Sequence, residues 1–141
     1  MGDLIEFLRE RLDEEEATAV EAGPAPWCWS GLDGDYPTLD SGTDACILTA
    51  WVHGDDGGIV VERPDAAHIA YWDPARVLAE VAAKRAIIDG LSVFESRLDL
   101  DGEPVGMIRT LTGRAYRLAT LTLAQVYAEH PDFDPAWHSG E

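Results

Sequence analysis

The sequence has one lysine and two cysteines among 141 residues. The scarcity of basic residues argues against a protein that binds nucleic acid, and the scarcity of cysteine argues against a disulfide-rich or zinc-binding protein. The ten basic residues are outnumbered by 27 acidic ones, which gives a net charge of −17. Nucleic-acid phosphates and anionic membranes would repel such a chain. Cys28 and Cys46 stand apart, without the spacing of a disulfide framework or a zinc site. We therefore expect reduced thiols, no direct nucleic-acid binding and no membrane association.

The chain also lacks segments that would direct it to a membrane or bind a nucleotide. No basic segment followed by an apolar run opens the sequence, so no signal peptide is predicted. No run reaches the roughly 20 apolar residues that span a bilayer. The glycines of residues 31–35 and 41–43 form neither a dinucleotide fingerprint nor a phosphate-binding loop. These absences favour a cytoplasmic protein without a cofactor.

Hydrophobic residues make up 46% of the sequence, which is enough for one folded core. We expect a single domain over residues 1–141 with an α+β fold: an N-terminal helix, a small antiparallel β-sheet built on a hairpin, tandem helices and a C-terminal helix. The expected segments are the N-terminal helix (1–23), the β-sheet region (27–62), the helical region (65–129) with a variable insert (91–114), and a tail (130–141).

The first helix is expected to have an apolar stripe and an acidic outer side. Leu4, Leu8 and Leu12 recur at helical spacing. Asp3 and Glu6 have the spacing of a capping box, which predicts that Asp3 caps the helix. The four consecutive acids after Leu12 are typical of a solvated helix face.

The sheet is expected to contain a short strand at residues 27–30 and a longer one at 45–53, where apolar and polar side chains alternate. A glycine- and aspartate-rich turn at 54–58 predicts a hairpin that returns through residues 59–61. Residues 31–44 are rich in Gly, Asp and Ser, which predicts a loop.

Residues 65–90 contain two helix starts in tandem. The first is a short apolar turn over residues 66–72. Asp73 is expected to cap the second helix, with Pro74 at its first position, and Gly90 is expected to end it. The face expected to be buried comprises Val77, Leu78, Val81, Ala82 and Ile88.

The last helix is expected over residues 112–129, and the proline after His130 should end it. For residues 105–110 the sequence leaves two alternatives, a strand and a loop. Phe133 and Trp137 are expected to attach the tail to the core. The face of the last helix that we expect to be buried comprises Ala115, Leu118, Ala119, Leu123 and Val126.

Three histidine-containing groups are candidates for chemistry, yet none has a spacing that fixes a site. His68 has two interpretations, a general base or a structural histidine. His53 lies beside Asp55 and Asp56 at the predicted turn, where turn chemistry accounts for the acids. We therefore assign no catalytic residue and expect no bound metal. The remaining group, in the tail, comprises His130, Asp132, Asp134 and His138.

The tandem helices and both ends of the chain carry a family resemblance. The signature residues are Asp65, His68, Asp73, Pro74, Arg76, Lys84 and Arg85. Together with residues 3–16 and 118–137, they resemble an uncharacterised family of small acidic proteins from actinobacteria and their phages. Many relatives have cysteine pairs before the last helix, and this chain has none there, so a zinc role is not carried over. The resemblance implies no known activity.

The leading hypothesis is a non-enzymatic cytoplasmic binding or regulatory protein, phage-borne, that acts on a basic protein partner. The net charge, the five tryptophans and the lack of a catalytic motif motivate it. One or two of the tryptophans are expected on a binding face. A sharper form is a DNA-mimicking inhibitor of a host enzyme, whose acids imitate phosphates. The expected contact residues are Glu10, Asp13, Glu14 and Glu16.

Two alternatives stand beside this hypothesis. Solubility and compositional bias are preferred over DNA mimicry as the explanation of the acidic charge, and in that case the charge contacts no partner. The alternative function is a small hydrolase or ligand-binding enzyme that uses His68 or the histidines and aspartates of the tail. The sequence does not predict an oligomeric state.

Overall fold

The computed structural model describes residues 2–50, 61–101 and 107–138. These residues form four α-helices and one three-stranded antiparallel sheet, which confirms the expected α+β fold. The elements are α1 (Gly2–Glu21), β1 (Cys28–Ser30), β2 (Thr38–Asp40), β3 (Cys46–Thr49), α2 (Arg63–Tyr71), α3 (Pro74–Asp101) and α4 (Met107–Ala124). Short 3-10 helices follow at Gln125–Tyr127 and Pro135–Trp137.

The chain divides into two compact units, and α1 and α3 contribute residues to both. The helical unit comprises residues 1–14 and 81–141, and the sheet unit comprises residues 15–80. The single domain expected over residues 1–141 stays a prediction. None of the described helices combines the length and the apolar character that crossing a membrane requires.

The apolar stripe of α1 forms the core of the helical unit. Leu4, Leu8 and Leu12 are each 1% exposed, which confirms the expected face. Each buried leucine of this kind contributes about 1.5–3 kcal/mol relative to an exposed one. The helix begins at Gly2, so Asp3 lies within its first turn and the expectation that it precedes the helix as a cap is wrong. Its carboxylate still lies at the end of the helix that favours negative charge.

The tail packs on α1 through aromatic rings, as expected. The ring centroid of Phe7 lies 5.0 Å from that of Trp137 and 6.0 Å from that of Phe133. Asp134 begins the short helix that carries Trp137, because its carboxylate accepts a hydrogen bond from the backbone N–H of Ala136 at 2.9 Å. The contacts of these aromatic side chains with Phe7 thus hold the tail against α1, although most of the residues in the tail are polar.

Helix α3 continues through Gly90 to Asp101, so the expected end at Gly90 is wrong. A Cβ atom at Gly90 would lie 2.8 Å from Cε1 of Tyr116 on α4. The glycine therefore permits a close approach of two helices and does not serve as a left-handed cap. Residues 107–110 are helical as well, so the strand-or-loop alternative is wrong for them.

The buried face of α4 is not the expected one. Thr120 and Ala124 are fully buried, whereas Leu118 is 60% exposed. The last helix ends at Ala124 and not at residue 129, so Val126, which is 70% exposed, lies in the 3-10 helix that follows. Thr120 is accommodated in the interior because its hydroxyl donates a hydrogen bond to the carbonyl of Tyr116 at 2.9 Å. Since α4 has apolar side chains on two sides, their periodicity alone does not identify the side that packs.

The expected face of α3 is confirmed only in part. Val81 and Ile88, both in the helical unit, are each 1% exposed. Val77 and Leu78, in the sheet unit, are partly exposed, and Ala82 is exposed. The buried positions are seven residues apart, which places them on one side of the helix.

The sheet has the order β1-β2-β3, and its middle strand lies inside the segment 31–44 that was expected to be a loop. That expectation is wrong for β2. Leu39 on β2 is 2% exposed and pairs with Trp29 on one side and Leu48 on the other. A three-residue strand among glycines and aspartates offers too few alternating positions to be recognised. The predicted hairpin at 54–61 lies largely outside the described residues, as do His53, Asp55 and Asp56.

An indole attaches α2 to the sheet. The Nε1–H of Trp29 on β1 donates a hydrogen bond to the backbone carbonyl of Ala66 at 2.8 Å, and Ala66 is fully buried. Helix α2 begins at Arg63, earlier than expected, because Pro64 is accommodated in its first turn. This hydrogen bond anchors the first half of α2 to β1.

Candidate functional site

The end of α2 and the start of α3 form a corner, which we define by His68, Tyr71, Trp72, Arg76 and Glu80. Asp73 caps α3 as expected: its Oδ1 accepts a hydrogen bond from the backbone N–H of Arg76 at 2.9 Å, and Pro74 opens the helix. Only Trp72 and Asp73 separate the two helices.

Arg76 holds the corner together. Its Cζ lies 4.6 Å from the ring centroid of Tyr71 and 5.4 Å from that of Trp72, within the range of cation–π attraction. Nη1 donates to the Tyr71 hydroxyl at 2.5 Å, and Nε and Nη2 both donate to Oε1 of Glu80, at 3.0 and 2.9 Å. The hydrogen bond with Glu80 raises the pKa of Arg76.

The rings of the corner are largely accessible to solvent. Tyr71 is 57% exposed and Trp72 is 40% exposed, and their planes are nearly perpendicular. Trp72 is thus an exposed tryptophan, while the expectation that one or two tryptophans lie on a binding face stays a prediction. The ring of His68 lies 6.3 Å from that of Trp72 and has no hydrogen bond to any described residue. Large rigid side chains beside an arginine are the composition of interface hot spots.

The acids expected to contact a partner lie on α1 and stay solvated in part. The side chains of Glu10, Asp13 and Glu14 are 58%, 71% and 63% exposed. Asp13 accepts a hydrogen bond from Arg85, and Glu14 accepts one from Arg11 at 2.9 Å. Glu16 is partly exposed. Glu10 also lies 3.8 Å from the guanidinium of Arg11, so at least three of the four carboxylates pair with arginines of the fold. The role of the four acids in contacting a partner stays a prediction.

Arg11 is a buried charged residue that sequence reasoning did not single out. It is 8% exposed, and its Nη1 lies 2.9–3.0 Å from the ring nitrogens of His130. Its Cζ lies 5.3 Å from the ring centroid of Phe7, and its nearest carboxylate is that of Glu14. The signal was present, since position 11 falls on the same side of the helix as Leu4 and Leu8.

The histidines and aspartates of the tail do not converge. His130 and Asp132 approach to 3.8 Å beside Arg11, whereas Asp134 caps a helix and His138 contacts Gln125 at 3.3 Å. Within the described ranges, no group of three or more His, Cys, Asp or Glu side chains is arranged to hold a metal ion.

The signature residues Arg85, Lys84 and Asp65 lie outside the corner. Arg85 pairs with Asp13, and Arg9 pairs with Asp89 at 3.1 Å, so both ion pairs lie within the helical unit. With Ile88 they line a cleft of about 340 Å³. Lys84 is partly exposed, and Asp65 is exposed in the first turn of α2.

One family model covers almost all of the chain. The model of DUF6221, a family of unknown function, matches residues 1–139. Neither the comparison with curated proteins nor the comparison with solved structures finds a match. A match over this length includes α1, the sheet, the α2–α3 corner and the tail, so the chain belongs to the family of unknown function DUF6221.

Proposed function

We propose that this protein is a non-enzymatic binding protein that regulates a basic protein partner, and that the α2–α3 corner is the centre of the contact. The observation that carries the proposal is the exposed cluster in which Arg76 contacts the rings of both Tyr71 and Trp72. Aromatic side chains contribute large contact area with few rotatable bonds, so ordering them on binding costs little. Arg76 already holds both rings, which lowers that cost further.

The charge around the corner supports a basic partner. Residues 62–80 contain four carboxylates and two arginines, and both arginines are paired with acids, Arg63 with Asp33 and Arg76 with Glu80. A lysine or arginine of the partner can therefore find both an aromatic face and an unneutralised carboxylate.

The acidic face of α1 supports the same class of partner by a different route. Glu10, Asp13 and Glu14 add to a net charge of −17, which accelerates encounters with a basic surface. In its sharper form, the proposal makes this face an imitation of spaced phosphates, as in an inhibitor of a nucleic-acid enzyme. We further propose a cytoplasmic protein of actinobacterial or phage origin. The free thiols of Cys28 and Cys46 are exposed, a condition that a reducing compartment preserves.

The test begins with a pull-down by the full chain from a lysate of a GC-rich bacterium, with the partner identified by mass spectrometry. The affinity of the purified partner is then measured by calorimetry for the parent and for the double variant Tyr71→Ala, Trp72→Ala. A hot spot of this kind is worth roughly 2 kcal/mol or more, so the double variant should bind about 30-fold more weakly.

A matched control is available on the same unit. Tyr36 is 60% exposed, close to the value of Tyr71, and it lies away from the α2 and α3 segments in sequence. Tyr36→Ala should bind the partner like the parent. Equal affinity of the double variant and the parent, with circular dichroism showing that both are folded, would reject the corner as the contact.

A further inference from the structure

Helix α4 presents an apolar seam to solvent. Leu111 and Leu118 are 55% and 60% exposed and lie seven residues apart. Ala115 and Thr122, both exposed, complete a series with alternating steps of four and three residues. This is the spacing of the narrow stripe through which two helices pair in a coiled coil. We call Leu111, Ala115, Leu118 and Thr122 the outer seam.

The outer seam lies on the side of α4 that faces away from the core. Residues two apart on a helix are separated by about 200°, so Leu118 points away from the fully buried Thr120. From Leu111 to Thr122 the seam is roughly 17 Å long. Single exposed apolar side chains are ordinary, but Leu111, Ala115 and Leu118 form an apolar line along one side of α4. Thr122 ends the line, and its hydroxyl is bonded to the carbonyl of Leu118 at 2.8 Å.

The charges beside the seam identify the partner's chemistry. No acidic residue occurs between Met107 and Ala124, in a chain with 27 acids. Arg114 and Arg117 are exposed, and neither pairs with a carboxylate of any described residue. The other arginines whose contacts are described all have a carboxylate partner: Arg9, Arg11, Arg63, Arg76 and Arg85.

We propose that the outer seam binds an acidic amphipathic helix of a partner protein. Such a helix has apolar side chains at heptad spacing and Glu or Asp at the positions that flank them. Arg114 directly precedes Ala115, at the position that flanks such a seam, where it can meet one of those carboxylates. Arg117 lies further round the helix on the same side, seven residues before the buried Ala124, and adds to the positive charge there. This surface is distinct from the α2–α3 corner, so the proposal holds whether or not the corner binds a partner.

Two other occupants fit the charges less well. A second copy would present the same seam and the same arginines, and α4 has no carboxylate that could pair with them. An anionic lipid surface would be repelled by a net charge of −17 and needs a broader apolar face than this seam. An acidic partner is also repelled at long range, but charges are largely screened beyond roughly 8 Å at physiological salt, so contact pairs decide the affinity.

The experiment uses the full chain and two synthetic peptides that share one helical, heptad-spaced leucine sequence. One peptide has glutamate at every flanking position and the other has lysine there. Fluorescence anisotropy of the labelled peptides gives the two affinities. The glutamate peptide should bind the parent about tenfold more tightly than the lysine peptide does. The double variant Arg114→Glu, Arg117→Glu should reverse this preference.

Leu118→Ser should weaken binding of the glutamate peptide at least about tenfold. The control is Val20→Ser, because Val20 is 67% exposed and lies outside α4. It should bind like the parent. Equal binding of the two peptides would mean that the seam binds any apolar helix without regard to its charge, and this result would overturn the proposal. So would absence of peptide binding together with self-association in sedimentation that Leu118→Ser abolishes, since the occupant would then be a second copy.

Discussion

At the scale of a residue, Gly90 sets how closely α3 and α4 can approach. A methyl group there would lie 2.8 Å from Cε1 and 3.1 Å from Cζ of Tyr116. Glycine inside a helix costs roughly 1 kcal/mol relative to alanine. The fold accepts this cost in return for contact between the glycine backbone and an aromatic ring. From the sequence, a helix-ending glycine and a packing glycine look alike, which is why the end of α3 was misplaced.

A double-mutant cycle separates the two roles of Gly90. In the parent, Gly90→Ala should lower the free energy of unfolding, because overpacking costs about 1–3 kcal/mol and exceeds the gain in helix propensity. In a Tyr116→Ala background the ring is absent, so the same substitution should raise the free energy of unfolding by about 1 kcal/mol. Urea denaturation measures all four variants. The same sign in both backgrounds would show that the ring does not oppose the methyl group.

At the scale of an element, the helices differ in how far their packing follows from sequence. In α1, leucines on one side contrast with acids on the other, so the buried face was predicted correctly. In α4, the expected buried residue Leu118 is exposed, and Thr120, which was not on the expected face, is buried instead. Its hydrogen bond to a backbone carbonyl makes a threonine acceptable in the core. At the α2–α3 corner, the sequence predicted that Asp73 caps α3. It did not predict the contacts of Arg76 with two rings, because these depend on how the chain turns between the helices.

Helix α3 offers a test in which two neighbouring positions receive the same substitution. Val81 is 1% exposed and Ala82 is exposed. Val81→Asp buries a carboxylate without a partner, which should cost about 4 kcal/mol or more and unfold a marginally stable chain. Ala82→Asp should cost only about 0.7 kcal/mol, the loss of helix propensity. Thermal unfolding followed by circular dichroism compares them. Similar melting temperatures for the two variants would contradict the burial of Val81.

At the scale of the whole molecule, the acidic excess is only partly absorbed by the fold. Among the described residues, arginines engage at least seven acids, in a chain that has 27: Glu10, Asp13, Glu14, Asp33, Glu80, Asp89 and Asp132. The remaining charge destabilises a compact state through self-repulsion and keeps it soluble. Whether an individual acid stabilises or destabilises the fold therefore depends on what it contacts, which the net charge does not reveal.

Two acids of α1 should respond in opposite ways to the same change. Glu14 accepts a hydrogen bond from the nearly buried Arg11, so Glu14→Gln should lower the free energy of unfolding by about 1 kcal/mol, after allowance for the exposure of the carboxylate. Glu21 is exposed in the last turn, where the helix dipole disfavours a negative charge. Glu21→Gln should raise the free energy of unfolding by about 0.3–1 kcal/mol at low salt.

Salt distinguishes the two mechanisms. The gain from Glu21→Gln is electrostatic and exposed to solvent, so it should shrink when the ionic strength rises from about 0.01 to 1 M, as the Debye length falls from roughly 30 to 3 Å. The loss from Glu14→Gln should persist, because Arg11 is buried and still lacks its closest carboxylate. Urea denaturation at both ionic strengths measures the four differences. If both variants gain stability at low salt and lose that gain at high salt, the acids of α1 act only as a repulsive charge and Glu14 has no structural role.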